Sequence, residues 1–198
     1  MHSRRAANLL LSLLCAWCTL FSGATSRADA LDGVLEVRSA YATTTDQGVF
    51  QLFAHVIYPV NDDIRAALKD GLTLTFDLDV VVSRERRLWL DETVAEYTLK
   101  RELSYHAVSD RYVGRDVDNR NGSEQHSYAT LEEALESLGT VDAWPFLLQQ
   151  QLSPSRTYRV SLRAGVRRGR LPDTLRVLLF WTDDWHRESE WFSWSLPH

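Results

Sequence analysis

The sequence predicts a mainly β protein, a two-sheet antiparallel β-sandwich that is immunoglobulin-like in architecture and carries two short helices. Three observations predict it. Segments in which apolar and polar residues alternate recur along the chain, the pattern of strands packed on a core from one side. Only two stretches have helical spacing, and both are too short to form a layer alone. After residue 30 no linker, internal repeat or low-complexity tract divides the chain, so residues 31–198 are expected to form a single domain.

The first expected unit is a hairpin. Leu35, Val37 and Tyr41 point one way, a turn containing Asp46 and Gly48 follows, and Phe50, Leu52, Ala54, Val56 and Tyr58 form the returning apolar row. "NDDIRAALKDG" reads as a helix, with Asn61 or Asp62 as cap, Ile64, Ala67 and Leu68 on one face, and Gly71 as terminator. "LTLTFDLDVVVS" is the most regular strand, with Leu72, Leu74, Phe76, Leu78, Val80 and Val82 on its buried side. From Tyr97 to Ala107 the alternation continues with Tyr97, Leu99, Leu103 and Tyr105 inward; Arg101 falls on that same face and breaks the pattern.

A strand over Arg111–Val117 comes next, then Asn121-Gly122, which suits the positive φ angles of a tight hairpin, with His126 and Tyr128 starting the return. "TLEEALESLG" is the second helix: Thr130 and Glu133 make a capping box, Leu131, Ala134, Leu135 and Leu138 share a face, and Gly139 stops it. In "TYRVSLRAGV", Tyr158, Val160, Leu162, Ala164 and Val166 point inward and Arg159, Ser161 and Arg163 outward. "LRVLLF", Leu175 to Phe180, reads as a strand covered on both faces. The stretch from Trp181 to Leu196 is expected as a hairpin, with Phe192, Trp194 and Leu196 toward the core, Trp191 at an edge, and Trp185 the most exposed of its tryptophans.

The N-terminus has the build of a cleaved secretory signal: Arg4 and Arg5, an apolar run from Ala6 to Phe21, and the small-residue site Ala28-Asp29-Ala30. The run is shorter than the roughly 20 residues a membrane-crossing helix needs. Residues 1–30 are therefore expected to be removed after export to the periplasm by the general secretory route, with an uncleaved inner-membrane anchor as the alternative. Both cysteines, Cys15 and Cys18, would leave with the signal, so the mature chain must be held by its core without disulfides. Loss of Arg4, Arg5, Arg27 and Asp29 deepens the net charge from −5 to −7. That balance argues against nucleic acid and anionic lipid as partners.

No catalytic spacing stands out, and neither a cofactor nor a metal is expected. Arg84, Arg86, Trp89 and Asp91 form a corner after the most regular strand, where guanidinium groups could hold a carboxylate or other anion or simply pair with nearby acids. His106 lies beside Ser104 on a polar strand face, and a Ser-His-acid site can be drawn there, but no Gly-x-Ser-x-Gly turn supports it. His55 and His126 also alternate with apolar residues and read as sheet histidines. His186 stands among Asp183, Asp184, Glu188 and Glu190, read as a solvated loop because strand or turn spacing scatters these groups over two faces. Trp185 and Trp191 are the aromatic candidates for seating a partner protein or stacking on a sugar.

"RERRLWLDE", "LSYHAVSDRYV", "LEEALESLG", "YRVSLRAGV", "LPDTLRV" and "SEWFSW", in this order behind a signal peptide, resemble the proteobacterial family called domain of unknown function 4390 over about Leu31 to Leu196. Leu88 and Leu90 flank Trp89 where relatives tend to carry more tryptophan. The resemblance implies an exported protein of uncharacterised function and carries over no catalytic residue. Members of that family are often encoded beside a membrane-bound sensor histidine kinase, which the resemblance therefore implies as a partner. The reading is a non-enzymatic periplasmic protein-binding or adaptor module; a small-ligand or glycan-binding module is the alternative, and a hydrolase built on His106 or His186 is the third.

Overall fold

The computed structural model describes residues 31–86, 90–117, 125–169 and 186–196. In chain order the elements are β1 (Glu36–Thr44), β2 (Val49–Ile57), α1 (Asp62–Lys69), β3 (Leu74–Arg84), β4 (Glu92–His106), β5 (Arg111–Asp116), β6 (Gln125–Tyr128), α2 (Leu131–Gly139), β7 (Thr140–Leu148), β8 (Tyr158–Arg168), β9 (His186–Glu188) and β10 (Phe192–Ser195). They form two antiparallel sheets, one ordered β1-β2-β7 and one ordered β10-β8-β3-β4-β5-β6 with β9 also paired to β8. The expected two-sheet sandwich with two short helices is what the chain adopts.

The core is built from the alternating rows. Phe50, Leu52, Ala54, Val56 and Tyr58 of the β2 segment are all buried, as are Leu72 through Val82 at even positions and Tyr158, Val160, Leu162, Ala164 and Val166 of β8. Burial of each such Leu, Val or Phe is worth about 1.5–3 kcal/mol. The Tyr58 ring meets Phe76 edge-on at 4.7 Å, which sets β2 above β3, and Trp144 meets Tyr97 at 5.6 Å, which sets β7 above β4. At the opposite side β1 packs on β8 and β10.

Both helices carry the predicted caps. Asn61 Oδ1 accepts from the Ile64 amide at 2.7 Å, and Thr130 Oγ1 from the Glu133 amide at 3.2 Å. The Glu133 carboxylate turns back to the Ala129 amide, one residue earlier than the reciprocal bond of a capping box. Gly139 does not end α2 with a left-handed turn; β7 starts at the next residue, and a Cβ at Gly139 would lie 2.2 Å from the Val56 carbonyl oxygen. Glycine is needed there for close approach of two backbones.

Several expectations are corrected. The β1–β2 register shifts between Val37 and Ser39, and the extra residue reverses the faces of β1 beyond it. Val37 and Ala42 are buried while Tyr41 is 54% exposed and stacks on Phe53, ring centroids 4.9 Å apart. His186 lies in β9 rather than a loop, and β9 and β10 follow each other along the same edge of β8. Between them the Ser189 hydroxyl accepts from the Ala164 amide at 3.0 Å. β7 has no clean alternation in sequence, because its pairing with β2 shifts twice and Ala143 sits at φ 48°. The signal region, Asn121-Gly122, the "LRVLLF" segment, Trp181 and Trp185 lie outside the described residues.

Candidate functional site

The arginine corner forms where β3 ends, β4 begins and β8 begins, because the register sets Arg84 opposite both Glu92 and Tyr158. The guanidinium groups of Arg84 and Arg86 converge on the Glu92 carboxylate. Asp91 meets Arg86 only through the backbone amide, at 3.4 Å, and the acid that the Arg86 guanidinium pairs with is Glu92. Arg159 donates from two nitrogens to Glu85 at 3.1 and 2.6 Å, which raises its already high pKa further. Glu85, Arg86, Asp91, Thr157 and Arg159 line an open depression of about 420 Å³. Each guanidinium is already engaged by a carboxylate, so an incoming anion would have to displace one. Trp89 lies outside the described residues.

Trp191 occupies a second place, at the β9–β10 junction. Its ring lies over the Arg163 guanidinium, 4.6 Å from centroid to Cζ, and it is 46% exposed. Arg163 is fixed below it by Asp79 at 3.2 Å and Glu188 at 2.7 Å. Ser161 and Ser193 share a 2.8 Å hydrogen bond alongside. Arg159, Arg163 and Arg167 recur every fourth residue on the outer face of β8, and each reaches an acid: Glu85, Asp79 and Asp77. Burial raises the pKa of Asp77 even though Arg167 and Lys100 oppose the shift. The sequence marked Arg159 and Arg163 as polar-face residues, but Glu85 and Asp79, which they meet just past and within β3, lie more than seventy residues away.

His106 occupies a third place. It is the last residue of β4, so about 14 residues, or roughly 45 Å of strand, separate it from the arginine corner. Its Nδ1 lies 3.0 Å from Ser109 Oγ in the following turn, and that serine, not Ser104, is the one in reach. Asp110 is taken by the Tyr105 hydroxyl, which raises the Tyr105 pKa. His55 lies 3.8 Å from Glu136 and His186 3.6 Å from Glu188. Among the described residues no three His, Cys, Asp or Glu side chains gather to hold a metal, and no helix is long and apolar enough to cross a membrane. The structure thus brings Arg84, Arg86 and Asp91 together and leaves His106 and Trp191 apart from them and from each other.

The interior holds one more charge. Arg101, on the inward face of β4, lines a space of about 10 Å³ with Val56, Tyr58, Phe76, Leu78, Leu99, Leu138 and Val141. That is room for about one water and no ligand. Burial drives the Tyr58 pKa far above the usual tyrosine range, with Arg101 partly opposing it, so the phenol stays neutral.

Residues 34–195 match the sequence profile of the family described as domain of unknown function (DUF4390). The chain belongs to this family. The match covers both sheets, both helices and all three places described above, so every strand and helix of the sandwich belongs to the DUF4390 domain. No curated protein matches the chain, and no solved structure does. Family membership assigns no reaction to any residue.

Proposed function

We propose that this DUF4390 protein is a non-enzymatic protein-binding module exported to the periplasm. The observation that supports it is the Trp191–Arg163 stack. The indole lies over the Arg163 guanidinium and stays 46% exposed, and that guanidinium is held by Asp79 and Glu188, so the ring is preorganised without being buried. Aromatic and arginine side chains of this kind dominate the energetics of protein interfaces. The partner to test first is the outward portion of a membrane sensor histidine kinase, following the family's gene neighbourhood. The arginine corner, with its paired charges, would serve as a polar rim that sets orientation.

A second reading uses the same indole face. A sugar ring could stack on Trp191 while Glu188 and Ser193 meet its hydroxyls. Two experiments separate the readings. Crosslinking in intact cells, followed by purification of the tagged protein, should recover one envelope protein that is lost on Trp191→Ala and retained on His106→Ala. Quenching of tryptophan fluorescence by envelope sugars at millimolar concentration, with no protein recovered, would replace the adaptor reading by the glycan one. Saturable turnover of an ester, peptide or glycoside that depends on His106 would remove both.

A further inference from the structure

The two sheets end in four edges among the described residues, and three are protected in the ways that prevent strand addition. β6 is four residues long. The β9–β10 edge is interrupted at Ser189–Trp191. β7 contains Pro145 and the positive-φ residue Ala143, and its register shifts twice. β1 is different. Beyond its bulge, Ser39–Thr44 pairs with β2 without interruption and contains no charge and no proline.

The turn shows which backbone groups of β1 are free. Thr45 N–H donates to the Val49 carbonyl at 2.9 Å, so Thr45 faces β2. Antiparallel pairs alternate between hydrogen-bonded and non-bonded, so Thr43 and Tyr41 also bond to β2, while Ala40, Ala42 and Thr44 turn their N–H and C=O groups to the outer edge.

We propose that this edge pairs with the same edge of a second copy of the chain, about a twofold axis at Ala42. In that register Ala42 faces Ala42 and Ala40 faces Thr44, all on residues whose backbone groups are free, so both strands satisfy one another. Tyr41 falls opposite Thr43 of the second copy on the outer face, where its exposed ring gains a neighbour. Arg38, at the bulge, and Asp46, in the turn, lie just past the two ends of this paired stretch, so each Arg38 comes beside Asp46 of the second copy. Arg38 is 61% exposed, with only a 3.4 Å contact to Glu36, and Asp46 is exposed, so two complementary charge pairs close the ends of the joint. Shifting the axis to Tyr41 would set Glu36 against Asp46 and oppose N–H and C=O groups already used by β2. The inference does not rest on the partner reading above, since it uses neither Trp191 nor the arginine corner.

The test is sedimentation velocity on the protein purified from cells expressing the full chain, over a wide concentration range. A concentration-dependent dimer is expected. Arg38→Asp sets like charges against each other twice and should raise the dimer dissociation constant about tenfold, and adding Asp46→Arg should bring it back to within about threefold. Thr43→Lys, at an exposed position, should also weaken the dimer while leaving the circular dichroism unchanged. A monomer at every concentration would overturn the proposal; if the amides of Ala40, Ala42 and Thr44 then exchanged slowly, another segment of the same chain covers the edge. A dimer indifferent to Arg38→Asp and Thr43→Lys uses another surface and would overturn it equally.

Discussion

Arg101 donates from one terminal nitrogen to the main-chain carbonyl of Leu138 at 2.5 Å, and the same nitrogen reaches the Thr140 carbonyl at 2.9 Å. These carbonyls stand at the C-terminal end of α2 and the start of β7, where acceptors lack partners and the helix dipole favours a cation. Nε of the same side chain meets Asp116 at 3.1 Å. One residue thus ties α2 and the small sheet to β4 and β5 of the large one. Arg101→Met keeps the apolar stem but removes these bonds, and should cost about 2–3 kcal/mol in urea unfolding, within the range for hydrogen bonds to charged groups. Arg101→Lys keeps the charge without the forked geometry and should cost less. Equal losses for both would show that the charge contributes nothing without the forked geometry.

Two acids should shape the acid side of the stability curve with opposite signs. The Arg65 hydrogen bond lowers the folded pKa of Glu132, so its contribution is complete above the unfolded pKa and disappears as pH falls through the lowered folded value. Both groups are partly solvated, so the loss is at most a few tenths of a kcal/mol. Asp77 behaves the other way. Its folded pKa is raised, the folded chain holds the proton longer than the unfolded one, and this group's contribution declines as pH rises from the ordinary aspartate value through the raised one. Urea unfolding of the wild type and Asp77→Asn at pH 3.5 and 6 should find the wild type's advantage larger, or its deficit smaller, at the lower pH. No change in the difference would mean that the ion pair to Arg167 offsets burial.

The alternating rows made much of this fold legible, because a period of two reports directly which side of a strand meets the core. Leu72 through Val82 and Tyr158 through Val166 needed nothing more. Tyr41 was misplaced because a bulge at Val37–Ser39 carries no glycine or proline to announce it, and one extra residue reverses every side chain after it. β7 was hidden for a related reason, since two register shifts erase the period. At the candidate sites, Arg101 was visible as a break in pattern and Arg163 as a polar-face residue. Their partners, Leu138 and Asp79, are fixed by topology, which a local pattern does not encode.

Trp191 and Trp194 should differ sharply when removed. Trp191 lies outside, stacked on Arg163, and a partly exposed cation–π contact is worth about 0.5–1 kcal/mol. Trp194 points the other way, packs against the core and meets Phe192 at 6.0 Å. Because Trp194 is only partly buried, Trp194→Ala should cost about 2–3 kcal/mol, below the full range for a buried tryptophan. Urea denaturation of both variants is the check. A cost for Trp191→Ala equal to that for Trp194→Ala would make the exposed indole a structural residue and remove the observation that supports partner binding.

The glycine at which an added Cβ would meet backbone most closely among the described residues yields a stricter test. At Gly139 a Cβ would sit 2.2 Å from the Val56 carbonyl oxygen, and neither backbone can yield without moving α2 away from β2. Gly139→Ala should therefore destabilise by about 3 kcal/mol or more, at or above the usual cost of overpacking. Gly71 provides the contrast. It sits at φ +91° with nothing within 4 Å of a built Cβ, so Gly71→Ala meets only backbone strain and should cost on the order of 1 kcal/mol. Thermal unfolding of the pair ranks the two mechanisms. If Gly139→Ala were as mild as Gly71→Ala, α2 would have to be free to move off β2, and Arg101, which holds the carbonyl of the residue just before Gly139, could not be the tie between the sheets.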